Sequence, residues 1–182
     1  MKVTPLDIEG AWLIEAKTYP DNRGLFREWF SGDLNEKVDI PYFEVRQANT
    51  SISSKGVIRG IHYSSALDGQ SKIVTCTSGS CLDVIVDLRQ GSKTFGKSII
   101  IELDSKSGFS VFISSGLGHG FQALEDNTAV TYLLNKSYNP NLEFAINPLD
   151  VELAIKWKEM PIIISEKDRI AKDFSEIKRE KK

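Results

Sequence analysis

Between residues 57 and 134 the chain repeats one pattern: short runs rich in Val, Ile, Thr and Phe, separated by glycine or asparagine. The runs are Val57–Tyr63, Lys72–Thr77, Cys81–Leu88, Phe95–Leu103, Phe109–Ile113, Gly120–Leu124 and Ala129–Leu134. Breaks fall at Asp68-Gly69, Ser78-Gly79, Gln90-Gly91, Ser107-Gly108, Gly116-Leu-Gly118 and Asp126-Asn127. With turn residues spaced so regularly and no ten-residue helical period between them, the pattern predicts an antiparallel sandwich or barrel, not a parallel α/β sheet. In the run ending at Leu88, Leu82, Val84, Val86 and Leu88 form an apolar row while Asp83 and Asp87 take the other face, which predicts a core strand.

The flanks are less regular. Ala11–Ile14 is a short apolar run, and the turn-rich Tyr19–Gly24 leads into a strand predicted to begin near Leu25. Ser31–Lys37 permits a short helical turn, which Pro41 stops. Phe43, Val45, Gln47 and Asn49 then share one face of a period-two segment. An amide pair continuing an apolar row needs partners, either a ligand or solvent at the strand's end. Near the C-terminus, twelve of the seventeen residues from 166 to 182 are charged, and Ile170, Phe174 and Ile177 recur at i, i+4 and i+7. That spacing predicts a helix over 165–182 with a narrow apolar face and a solvated remainder.

Composition narrows the functional classes. The length of 182 residues and a hydrophobic fraction of 41% suit one domain with a sizeable core. A net charge of −2 carries no electrostatic footprint for nucleic acid or for an anionic membrane, so any anion site must be local. Charged residues interrupt the first twenty positions and no run reaches 18 apolar residues, which predicts a cytoplasmic chain without a signal peptide. Cys76 and Cys81 flank a hairpin turn and are expected as buried free thiols. Only two histidines occur, His62 and His119, without a chelating neighbour at i+2 or i+4, so no metal is expected.

Candidate chemistry centres on Lys55-Gly-Val-Ile-Arg-Gly-Ile-His-Tyr63. Arg59 offers a planar fork for phosphate or carboxylate, and His62 can take a proton near neutrality. On a regular strand the two would point to opposite faces, so a bulge at Gly60 is needed if both are to serve one cavity. Further candidates are Gln70-Ser-Lys72, Gly118-His-Gly-Phe121, Tyr132 and Ser165-Glu-Lys-Asp168, which an antiparallel fold can bring together. Each has a plain structural alternative. Asp168 sits three residues after Ser165, a helix-capping spacing, and Tyr132 shares a face with Val130 and Leu134 as a core tyrosine would.

Taken in order, these stretches resemble the dTDP-4-dehydrorhamnose 3,5-epimerase family. The resemblance rests on Asp21–Glu28, Gln47-Ala-Asn49, Lys55–Tyr63, Gln70-Ser-Lys72, Asp83–Arg89 with Ser92–Gly96, Gly118–Phe121, Tyr132, Tyr138-Asn-Pro140, Glu143 and Ser165–Asp168. It implies an all-β, cupin-type jelly-roll barrel with short peripheral helices and a C-terminal helix. The expected layout is a single domain over 1–182: N-terminal strands and a dimer-exchange region at 1–45, a barrel core at 46–145, and the helix at 165–182. It further implies a homodimer that exchanges an N-terminal strand, no cofactor, and a nucleotide-sugar substrate epimerised at C3 and C5.

By the same resemblance His62 is the general base, Asp168 its orienting carboxylate, Tyr132 the general acid, and Lys72 the cation near the C4 oxygen. Arg59 and, from the neighbouring subunit, Arg23 take pyrophosphate positions. Phe26, Glu28, Gln47, Asn49, His119, Glu143 and Lys167 match nucleotide or sugar contacts. A proton α to a ketone becomes removable when a cation meets the enolate, and inversion then needs an acid on the other face. The chain departs from the family at Tyr63–Gly69, at Ser114–Gly118, at Ser137 and at Pro148, positions that bear on the substrate lining. Alternatives are a single-centre epimerase, a 3,4-ketoisomerase, and, in another class, a non-catalytic sugar-nucleotide-binding cupin.

Overall fold

Alternating hydrophobic runs with tight turns leave each strand one face to bury, and here two antiparallel sheets bury those faces against each other. A computed structural model describes residues 1–34 and 40–179. In chain order the first strands are β1 (Lys2–Pro5), β2 (Ala11–Glu15), β3 (Thr18–Asp21), β4 (Gly24–Arg27), β5 (Gln47–Ser53), β6 (Val57–Ser64) and β7 (Lys72–Ser78). They are followed by β8 (Ser80–Asp87), β9 (Ser98–Asp104), β10 (Phe109–Ile113), β11 (Leu117–Ala123), β12 (Thr128–Leu134), β13 (Glu143–Ala145) and β14 (Ile163–Ile164). Two short helices end the described chain, α1 (Glu166–Arg169) and α2 (Phe174–Arg179). None of its helices is long and apolar enough to cross a membrane.

One sheet runs β1-β2-β10-β7-β12-β5, the other β13-β6-β11-β8-β9, with β14 added parallel to β6. The arrangement is a jelly roll of two facing sheets, not a hydrogen-bonded closed barrel among the described residues. The space between the sheets is filled by Val74, Cys76, Cys81, Ile85, Val111 and Val130 with their neighbours. Cys76 and Cys81 are buried free thiols there. The outer faces are covered too. Trp29, Phe30 and Phe43 lie over Ile14, Ile73 and Phe112 of the first sheet. Leu153, Phe174 and Ile177 cover Val84, Val86 and Ile61 of the second. Strand β8 is therefore buried on both faces, and Asp83 and Asp87, expected opposite the apolar row, are themselves fully buried.

Several boundaries depart from the sequence expectation for physical reasons. The run from Phe95 becomes strand only at Ser98, because Gly96 and Lys97 close turns onto Asp87 and Thr94 while the Phe95 ring packs 5.2 Å from that of Phe174. The period-two segment at 43–49 is strand only from Gln47; Phe43 is buried under the first sheet while Val45 is exposed. The helix expected over 165–182 is two short helices, and Ile170 is 72% exposed because it closes α1 instead of joining the apolar face of Phe174 and Ile177. The helical turn expected at 31–37 falls partly, and the tail from 180 wholly, outside the described residues.

Candidate active site

The strand-parity problem at Lys55–Tyr63 is solved by a bulge. Strand β6 pairs with β11 so that His62 faces His119 while Arg59 faces Phe121, three steps on β6 against two on β11. Gly60 makes this close fit, with φ at +121° and a notional Cβ only 2.5 Å from the Gly120 Cα. Arg59 and His62 consequently both line one cavity of about 620 Å³ between the sheets. Arg59 is steadied there by its Nε–H, which donates to Ser53 Oγ at 3.1 Å.

On the β6 side, His62 Nε2 lies 2.7 Å from Asp168 Oδ1. A carboxylate only accepts, so Nε2 carries the ring proton and Nδ1 keeps the lone pair that can receive a proton from a substrate. Asp168 is 4% exposed. Burial alone would raise its pKa, but His62, the Ser165 hydroxyl and the Gly60 amide more than offset this and hold the carboxyl below its ordinary range. The helix-capping alternative proves compatible with this role. Ser165 caps α1 by accepting the Asp168 backbone N–H at 3.1 Å, which leaves the Asp168 carboxylate free for His62.

Across the cavity, the first sheet supplies Tyr132 from β12 and Lys72 from β7. The histidine and the tyrosine thus reach one space from opposing sheets. Burial pushes the Lys72 ammonium below the usual lysine range, against the pull of the negative charges on Glu143 and Asp83. Glu143 shows the converse: burial raises it, opposed by Lys72, His62 and Lys167. A half-buried carboxyl and a partly buried amine lining one cavity make it electrostatically responsive to a charged ligand.

Gln47, Asn49, His119, Glu143 and Lys167 also line this cavity. The amide pair has protein partners: Gln47 Nε2–H donates to Asn49 Oδ1 at 3.1 Å, and Gln47 Oε1 accepts the Tyr138 N–H at 2.8 Å. Arg23, Phe26 and Glu28 are not brought to the cavity of their own chain. They lie on or beside the β3–β4 hairpin, a ribbon separate from both sheets, where Phe26 is 68% exposed and Arg23 pairs with Asp21. Arg27 ties the base of that ribbon to the Ser105 and Lys106 carbonyls. One residue escaped the sequence reasoning: Asp83, fully buried, with Oδ2 at 2.7 Å from His119 Nε2. The available signal was a charged side chain in the middle of a strand, flanked on both sides by apolar residues from Cys81 to Val86.

A histidine with an oriented lone pair on one wall, and a tyrosine and a lysine on the facing sheet, are the groups an isomerase needs to exchange protons on two faces of a carbon acid, here carried on a jelly roll. Comparison with known proteins makes this specific. The family model described as dTDP-4-dehydrorhamnose 3,5-epimerase matches residues 5–176, and the chain belongs to that family. An epimerase structure from Mycobacterium tuberculosis superposes with a TM-score of 0.93 at 40% identity, covering 98% of this chain and 91% of that one. A dTDP-4-dehydrorhamnose 3-epimerase of Streptomyces niveus is 42% identical over 94% of this chain and 83% of its own length. A 3′-monoepimerase from Streptomyces bikiniensis, solved with dTDP-quinovose, has a TM-score of 0.92 at 38% identity, covering 96% of this chain and 88% of that one.

Proposed function

We propose that this chain epimerises a dTDP-4-keto-6-deoxyhexose at C3 and C5, converting dTDP-4-dehydro-6-deoxy-D-glucose to dTDP-4-dehydro-L-rhamnose. The observation that carries this is the meeting of the His62–Asp168 pair with Tyr132 and Lys72 across one cavity. His62 Nδ1 takes the proton α to the ketone, and Asp168 stabilises the imidazolium that results. The Lys72 ammonium meets the enolate oxygen, which lowers the barrier most where water is excluded. Tyr132 delivers a proton to the opposite face, and the carbon is inverted. Repetition at the second carbon on the other side of the carbonyl gives the double epimer. Arg59 binds the pyrophosphate, with Gln47, Asn49, His119, Glu143 and Lys167 around the nucleotide and sugar. No redox cofactor or metal enters this scheme.

The working unit is a homodimer in which the β3–β4 hairpin of each chain brings Arg23, Phe26 and Glu28 to the site of the other. A two-stranded ribbon is marginal alone, and this one exposes Tyr19, Leu25 and Phe26. Inversion at C3 alone is the second reading, favoured by relatives of equal similarity named as 3-epimerases. The expected setting is the cytoplasm, where nucleotide sugars are made.

Incubation with dTDP-4-keto-6-deoxyglucose in deuterated water separates these readings. Deuterium at both C3 and C5 is expected; deuterium at C3 only establishes the monoepimerase; no exchange at either carbon removes both for this substrate. His62→Ala should abolish exchange with the fold intact, and Tyr132→Phe should keep some exchange while losing inversion. Wild-type epimerisation by Tyr132→Phe would show that another group is the acid.

A further inference from the structure

The inner row of β8 is apolar at Cys81 and Ile85, yet Asp83 stands between them at 0% exposure. Its Oδ2 is engaged by His119, while Oδ1 has no hydrogen-bond partner among the described residues. A buried carboxylate with one oxygen unsatisfied is unfavourable in an aliphatic core, so packing alone does not account for Asp83. Its surroundings do. His119 lines the catalytic cavity directly opposite His62 in the β6–β11 register. Lys72 enters the same cavity from the facing sheet, close enough to feel the charge of Asp83.

We propose that Asp83 is a positioning residue of this site, fixing His119 in the Nε2–H tautomer and serving as counter-charge to the Lys72 ammonium across the gap between the sheets. The site then holds two histidine–aspartate pairs, His62–Asp168 and His119–Asp83, the first moving a proton and the second ordering the wall beside it. With Nε2–H given to Asp83, the nitrogen left to His119 for a ligand is Nδ1, a lone-pair acceptor in the neutral ring. The counter-charge has a consequence for pH. The titratable groups around Lys72 are Glu143 on β13, Asp83 on β8, His62 on β6, His119 on β11, Tyr132 on β12, and Lys167 and Asp168 on α1. Glu143 and Asp83 oppose the effect of burial on Lys72. Removal of Asp83 leaves burial less opposed, and the ammonium then loses its proton at a lower pH.

The counter-charge role rests on the proposed epimerase chemistry; the tautomer role does not. For the first, deuterium exchange into the keto sugar is followed against pH for wild type and Asp83→Asn, since exchange needs only the proton-removal step. The alkaline limb of the variant should move down by about one pH unit, with a neutral-pH rate on the order of tenfold lower and KM little changed. A folded Asp83→Asn protein whose alkaline limb coincides with wild type overturns this role. For the second, ¹⁵N imidazole spectra of the wild type suffice, because the chain has only two histidines and His62→Asn assigns them. His119 should show the Nε2–H pattern. An Nδ1–H pattern overturns the proposal without any variant at 83, whether or not the substrate is the right one.

Discussion

Three aspartates share near-complete burial and perform different work, which shows how little residue type alone decides. Asp168 and Asp83 each hold a histidine, but Asp87 holds a loop. Its two oxygens accept from Arg89 Nε–H and Nη2–H, both at 2.9 Å, and from the hydroxyls of Ser92 and Thr94. Burial would raise its pKa, but Arg89, Ser92 and Thr94 outweigh it and lower the carboxyl to about 2. The stretch 83–96 that resembles the family thus carries the partner of a cavity-lining histidine at one end and a structural staple at the other. Because the folded pKa lies below the unfolded value of about 3.9, Asp87 contributes stability above that value and loses it as pH falls towards about 2. Asp87→Asn should therefore cost on the order of 3 kcal/mol at pH 7, and the gap to wild type should close as urea melts are repeated at pH 4, 3 and 2. A gap independent of pH would mean the loop is held by something other than this charge.

Strands were legible from the sequence because period-two burial and glycine punctuation are local properties, and β6, β7, β8, β10 and β12 fall within a few residues of their expected bounds. The C-terminal helix was not, because i, i+4, i+7 spacing cannot reveal that Ile146 bridges to Lys172 between α1 and α2 and divides the expected element. Asp83 was missed for a related reason. Parity placed it opposite an apolar row, and only the first sheet, packed against β8's own, makes that opposite face an interior. The bulge in β6 was legible, since two functional side chains three apart demanded it and a glycine lay between them. That element carries its own prediction. A methyl group at residue 60 would meet the Gly120 Cα at 2.5 Å and the His119 carbonyl at 2.7 Å, in a backbone region that side chains rarely adopt. Gly60→Ala should destabilise by about 3 kcal/mol and reduce exchange activity at temperatures where the protein remains folded, because Arg59 and His62 no longer converge. Gly24→Ala serves as the control: its φ is also positive, but nothing lies within 4 Å of its notional Cβ, so strain alone is tested there. Equal losses from the two substitutions would deny the bulge its special fit.

At the scale of the whole molecule the proposed dimer makes its own prediction. The cavity takes His62, Tyr132 and Lys72 from a single polypeptide, yet Arg23 sits 86% exposed on the β3–β4 ribbon, away from that cavity. Loss of one charge-assisted contact to a phosphate weakens binding by roughly 10- to 100-fold, so Arg23→Ala should raise KM with little change in kcat if the proposed dimer is right. The decisive measurement is a mixture. Arg23→Ala and Lys72→Ala proteins, each impaired alone, are co-refolded in equal amounts. If Arg23 acts across the dimer, half of the assemblies are mixed, and in each of these one site joins an intact Lys72 to an intact Arg23 from the partner. Activity at low substrate should then recover to roughly a quarter of wild type. If Arg23 acts within its own chain, neither site of the mixed dimer is complete and the mixture remains as poor as its components. The second outcome would return the hairpin to its own subunit and require it to fold over the cavity it now leaves open.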